Sequence, residues 1–226
     1  MKPLSIFIIV AAQTVLAAEK DFTPIFDGKS LESWQAVPPN TLSDWSVQNG
    51  VIRGKGSANR LAYLVWKEEL TDFELRCDYR MRTKGNTGIE IRSRVDKTRK
   101  RPFEGYHADL GHVGIGRNIL GSWDFHFGPR REHPCPRGTH LIIDENQKGT
   151  SRKIPGAVTL KDIKKRDWNS VRIIAKGNSF QFFINGKPAS SFVDNAKAGQ
   201  LKSGWIALQL HDRGMIVEFR NLRIKK

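Results

Sequence analysis

Four short segments carry side chains able to do acid–base chemistry, each inside a stretch where apolar and polar residues alternate. In Gly88-Ile89-Glu90-Ile91-Arg92 the isoleucines share one side of an extended chain, which puts Glu90 and Arg92 on the other. The same spacing pairs His107 with Asp109 in Tyr106-His107-Ala108-Asp109-Leu110, and Gln209 with His211 in Ile206-Ala207-Leu208-Gln209-Leu210-His211. Trp123-Asp124-Phe125-His126 adds Asp124 and His126. Taken singly, a polar residue opposite a core face is a solvated one. Gathered on one concave sheet, these would supply acids, imidazoles, an amide and a guanidinium. Glu90, His107, Asp109 and His211 are then the candidates for catalysis, and Arg92, Asp124, His126 and Gln209 for holding substrate. His107-x-Asp109 together with His126 or His211 could hold a divalent metal through oxygen and nitrogen, although the spacing specifies none.

Other chemistries lack their residues. No Gly-x-Ser-x-Gly occurs, so there is no nucleophile elbow. Gly114-Ile115-Gly116 is not followed by the third glycine of a dinucleotide loop. The two cysteines, Cys77 in an alternating segment and Cys135 between two prolines, have contexts too different to pair readily, and neither has a zinc-type neighbour.

The elements that must position these groups are strands. Phe73 to Arg82 alternates apolar and polar throughout, the pattern of a half-buried strand. Trp45 to Ile52 and Gln181 to Ala189 each read as two strands around Asn-Gly, a dipeptide that tolerates the positive φ of tight hairpin turns. Trp205 to Leu210 and Met215 to Ile224 add two more. Helical signal is confined to Leu160–Lys165, and residues 95–104 and 128–157, basic and rich in Gly and Pro, read as loops. Many antiparallel strands at this length predict an all-β fold. We expect a concanavalin A-like jelly-roll sandwich of two antiparallel sheets.

Residues 1–18 have the form of a secretory signal: Lys2, the apolar run Leu4 to Ala12, then Val15-Leu16-Ala17-Ala18 before Glu19. The expectation is a secreted or periplasmic protein, with residues 19–226 forming a single β-sandwich domain and no membrane span after cleavage. The formal charge is +15, clustered at Lys97, Arg99, Lys100 and Arg101, at Arg130 and Arg131, and at Lys161, Lys164, Lys165 and Arg166. Such clusters suit an anionic partner such as an acidic oligosaccharide, or are simply solvated loop charges. No stacking motif points to nucleic acid.

One more signal is an ordered series of segments along the chain. It opens with Phe22-Thr23-Pro24-Ile25-Phe26-Asp27-Gly28-Lys29-Ser30-Leu31 and Trp34, followed by Trp45 to Ile52, Asp72-Phe73-Glu74-Leu75 and Asn86-Thr87-Gly88-Ile89. It continues through Gly105-Tyr106-His107-Ala108-Asp109, Asp167 to Val171 and Ile184 to Lys187, and closes with Gly204 to His211 and Val217 to Ile224. The series resembles one family, the 3-keto-disaccharide hydrolase domain, whose members usually have Gln or Glu at the position of His107; residues 111–145 are unlike typical members. The resemblance implies a concanavalin-like sandwich acting on 3-keto-glycosides by elimination and hydration. The alternative expectation is a non-catalytic, lectin-like glycan-binding module.

Overall fold

The computed structural model describes residues 21–58, 60–98, 102–111, 119–126 and 133–226. The residues read as a signal lie outside them, as do Arg99, Lys100, Arg101, Arg130 and Arg131. In chain order the strands are β1 (Thr23–Pro24), β2 (Trp34–Val37), β3 (Trp45–Gln48), β4 (Val51–Lys55), β5 (Ala62–Leu70), β6 (Phe73–Met81), β7 (Gly88–Val95) and β8 (Phe103–Asp109). They continue with β9 (Trp123–His126), β10 (Thr139–Ile143), β11 (Gly149–Lys153), β12 (Asn169–Lys176), β13 (Ser179–Ile184), β14 (Lys187–Asp194), β15 (Gly204–Leu210) and β16 (Ile216–Lys225).

Two sheets stack as the alternation predicts. Nine strands run β11-β10-β14-β13-β12-β6-β16-β4-β3, with β1 joined to β16 as a tenth. The facing sheet runs β2-β5-β15-β7-β8-β9. All pairings are antiparallel except β10 with β14. The inward side chains of both sheets form one apolar core, in which Trp123 meets Phe180, Phe182 and Phe192 at ring separations of 5.2 to 6.4 Å. This is the concanavalin A-like jelly roll, all-β among the described residues apart from short 3-10 turns at Pro39–Asp44 and Leu160–Asp162.

Both Asn-Gly turns form as expected, with φ of 51° and 74° at Asn49 and Gly50, and 50° and 77° at Asn185 and Gly186. One expectation needs correction. Within 128–157, read as a loop, β10 and β11 form a hairpin that extends the larger sheet. Every residue of β11 is exposed, so this edge strand carries no apolar alternation to betray it. Both cysteines are free, as their differing contexts suggested, and both are buried. Burial pushes the Cys135 thiol up to about 12 and raises that of Cys77 as well, so both stay protonated.

Candidate functional site

The six-stranded sheet turns Ile89, Ile91, Tyr106, Ala108, Trp123, Phe125, Ile206 and Leu208 into the shared core. Alternation therefore sends Glu90, His107, Asp109, Asp124, His126 and Gln209 to the opposite face. Register brings them together. His107 stands across from Glu90 on one side and Asp124 on the other, and Asp109 stands across from Gly88. Ala207, two residues before Gln209, stands across from Glu90. A separate apolar patch of Tyr63, Val65, Phe103 and Ala207, with Trp205 packed against it, covers the same face.

These polar groups are buried even though they point away from the core. Glu90 and Asp109 are 0% exposed, His107 1%, Gln209 2% and His126 6%, while Asp124 is half-buried. Glu90 Oε1 lies 2.5 Å from His126 Nδ1 and 3.3 Å from His107 Nδ1. The second contact is too poorly aligned to be a hydrogen bond. The two imidazoles stack at 4.9 Å. Two glycines make the space: a Cβ on Gly88 would sit 2.3 Å from His107 Nε2, and one on Gly105 2.7 Å from Glu90 Oε2. Gln209 Nε2 donates to the Tyr63 hydroxyl at 3.2 Å.

The carboxyls diverge electrostatically. Burial would raise Glu90, but the adjoining His126 and His107 outweigh it and hold the carboxyl well below the usual carboxylate range. Burial pushes Asp109 up to about 8; His107 opposes this, and Asp124 beside it adds to it. Four buried atoms on this face have no hydrogen-bond partner: Glu90 Oε2, His107 Nδ1, Asp109 Oδ2 and Gln209 Oε1. Each such atom costs on the order of 1–3 kcal/mol. Four on one face call for a water, an ion or a ligand to satisfy them. One donor atom each from Glu90, His107 and His126 lie within 4.8 Å of one another. Two imidazoles and one carboxylate at that spacing suit a divalent first-row metal.

Two sequence expectations change. Arg92 does not join Glu90. An extra residue in β7, between Ile91 and Arg94, breaks the alternation, and Arg92 takes a φ of 46°. Its guanidinium turns to the carbonyls of Thr71, Gly177 and Leu201 at 2.7 to 3.0 Å and to Asp72 at 3.1 Å, and lies over the Phe180 ring. It is structural. His211 follows directly after β15 but is exposed and paired with Asp212 at 2.8 Å, outside the buried group. A further expectation, that the Gly- and Pro-rich loop around His126 to Pro136 rims the site, falls largely on residues 127–132, which lie outside the described residues. Two contributors were missed, Tyr63 and Asn86, whose Oδ1 is also buried without a partner. The signal for Tyr63 was the unbroken apolar run Ala62 to Trp66, which marks a strand buried on both faces.

The smaller sheet of this jelly roll thus presents buried carboxylates and imidazoles, the residue types of acid–base chemistry. The chain matches the 3-keto-alpha-glucoside-1,2-lyase-like domain over residues 21–225, and it belongs to that family. Among solved structures it is similar to a candidate glycosyl hydrolase from Parabacteroides distasonis, at 21% identity and a TM-score of 0.61, covering 92% of this chain and 94% of that one. It is also similar to a galectin-like-fold protein of Bacillus subtilis (12%, 0.59, covering 90% and 94%) and to the carbohydrate-binding module CBM66 of the same organism (14%, 0.54, covering 86% and 96%). At these identities the likeness is one of fold. No curated protein matches the chain.

Proposed function

We propose that this protein cleaves the glycosidic bond of 3-keto-glycosides by β-elimination, followed by hydration of the product. The observation that carries the reading is the buried group of Glu90, His107, Asp109 and Gln209 with four unpartnered polar atoms on one face. A ketone at C3 acidifies the hydrogen on C2. His107, backed by the carboxylate of Glu90, takes that proton, and the electron pair of the C2–H bond forms the enolate. The enolate collapses to a C1=C2 double bond and breaks the C1–O bond. Asp109, still protonated near neutral pH, gives its proton to the departing oxygen. The products are a conjugated enone and a free alcohol, and addition of water to the enone completes net hydrolysis. Gln209, fixed by Tyr63, and His126 are placed to hold the sugar. With Arg92 committed elsewhere, the enolate oxygen needs another electrophile.

The closeness of the Glu90, His107 and His126 donors favours a second reading of the same reaction. A divalent cation held there would polarise the C3 ketone. Its ligands would then include His107, and the base would be Asp124.

The test is product analysis with a 3-keto-disaccharide. Appearance of the ultraviolet-absorbing enone, lost in His107→Ala, supports elimination. Tight binding without turnover would instead identify a glycan-binding module. We also propose export, with a mature N-terminus near Glu19. N-terminal sequencing of protein recovered from the producing cell, if it returned Met1, would overturn that.

A further inference from the structure

The outer face of the ten-stranded sheet carries a charge pattern that elimination chemistry does not use. Register places Arg172 of β12 directly across from Arg76 of β6, and Arg76 directly across from Arg223 of β16. The last pairing depends on an irregularity between Arg220 and Arg223, where Asn221 takes a φ of 55°. It sends Leu222 into the core and returns Arg223 to the outer face. Like charges directly opposite one another on a sheet are destabilising, and here three stand in one row. A single carboxylate, Glu74, serves two of them, taking Nε and Nη2 of Arg172 at 2.7 and 2.9 Å and Nε of Arg76 at 2.7 Å. Arg76 and Arg223 also lie over the Phe22 ring, at 4.3 and 5.8 Å.

A pocket of about 300 Å³ lies above this row, lined by the three arginines with Ser170 and Phe183. A second pocket of about 300 Å³ adjoins it across β13 and β14, lined by His140, Arg152, Lys153 and Gln181, again with Phe183. Phe183 is common to both and forms the wall between them. The lining thus holds five arginine or lysine side chains against one carboxylate, Asp78, which is already bonded by Arg220 and Asn221. From β16 to β11 the row crosses six strand spacings, roughly 29 Å at about 4.8 Å each, the length of several sugar units.

We propose that this groove is a second glycan-binding site, on the opposite side of the sandwich from the candidate active site, and that it takes an anionic oligosaccharide. Planar guanidinium groups match carboxylates and sulfates through paired hydrogen bonds. The half-buried Phe183 ring, which the Arg172 guanidinium partly overlies at 5.2 Å, gives the apolar C–H face of a sugar a platform midway along the groove. Proteins that hold single-stranded nucleic acid stack successive bases on several aromatic rings. The two linings hold a single phenylalanine on the open floor, Phe183, because Phe182 of the second pocket faces the core, and the His140 imidazole is tied to Ser191 at 2.7 Å. The cationic loops picked out in the sequence are not needed. The charge that matters comes from sheet residues whose alternation looks like ordinary surface.

The experiment is calorimetric titration of the whole protein with hexagalacturonate and, separately, with a heparin hexasaccharide, using maltohexaose and a six-base single-stranded oligonucleotide as comparisons. Binding of either anionic hexasaccharide, weakened steeply by salt, is expected. Arg172→Gln and Phe183→Ala should each weaken it at least tenfold, and Lys153→Gln several-fold. His107→Ala, on the other face, should leave it unchanged. Because Arg172→Gln strips a partner from Glu74 and can destabilise the sheet, melting curves accompany every variant, and the exposed Lys153 and half-buried Phe183 keep the test decisive. The proposal is overturned if neither anionic hexasaccharide binds, if Phe183→Ala and Lys153→Gln bind as the wild type does, or if binding is lost in His107→Ala. An oligonucleotide bound as tightly as the sugars would overturn it too.

Discussion

Glu90 and His126 touch at 2.5 Å although their strands are not neighbours: β8 runs between β7 and β9, and the contact passes over Gly105. A side chain at 105 would stand between them. Gly105→Ala places a methyl 2.7 Å from Glu90 Oε2 and 3.3 Å from the Ile91 carbonyl. We expect a folded protein, destabilised by about 1–3 kcal/mol, whose turnover falls far more than its stability. Urea unfolding beside enone formation measures both. Wild-type turnover in this variant would show that the contact is irrelevant to catalysis.

Asp109 gives a pH signature. Its carboxyl is raised from 3.8 to about 8 on folding. The folded state therefore holds more protons than the unfolded state across that interval, so stability declines as pH rises from about 4 to about 8 and levels off above. If Asp109 donates the proton to the leaving oxygen, turnover should fall above about pH 8. Asp109→Asn should flatten the stability profile and abolish turnover. Parallel melting and rate profiles for the two proteins check the two effects independently.

Metal titration separates the two versions of the mechanism. If Glu90, His107 and His126 hold a cation, apo protein should bind one equivalent of zinc or manganese, chelation should stop turnover, and His126→Ala should lose the binding. Full turnover after exhaustive chelation would leave His107 as the base.

Arg92 should behave as a pillar of the fold. Removing a buried, fully bonded guanidinium leaves three carbonyls without their donor, and the loss should be about 3–5 kcal/mol for Arg92→Ala. Arg92→Lys keeps the charge but not the planar fork, so it should recover only part of that. Denaturant midpoints measure the loss, and KM for a 3-keto-disaccharide should stay close to wild type in Arg92→Lys.

Period-two patterning made most of the site legible. Glu90, His107, Asp109, Asp124, His126 and Gln209 each flank apolar residues that enter the core, and alternation assigned each of them to the opposite face. What alternation cannot carry is an inserted residue. Arg92 sits one position past the place where β7 slips its register, and a left-handed φ at an arginine leaves no trace in composition. His211 failed for the opposite reason: the pattern runs on through it, but β15 ends at Leu210. The pairing of Glu90 with His126 was hidden because it depends on strand order and on a missing side chain at Gly105. Tyr63 left only the unbroken apolar run of its strand, which marks burial on both faces but does not say which face a residue serves.

The strand order also constrains how the molecule can be assembled in time. β15 fills the slot between β5 and β7, and β16 fills the slot between β6 and β4. The last two strands of the chain are therefore interior members of both sheets. Until residue 225 has left the ribosome, each sheet has a gap, with β4, β5, β6 and β7 each showing an unpaired edge toward it. Such edges are templates for pairing with another chain, and closing them requires contacts between the most distant parts of the sequence, which form slowly. A polypeptide truncated by a few tens of residues would thus leave each sheet in two pieces, with the candidate site's strand β7 and the arginine row's strand β6 standing open to their neighbours in the cell.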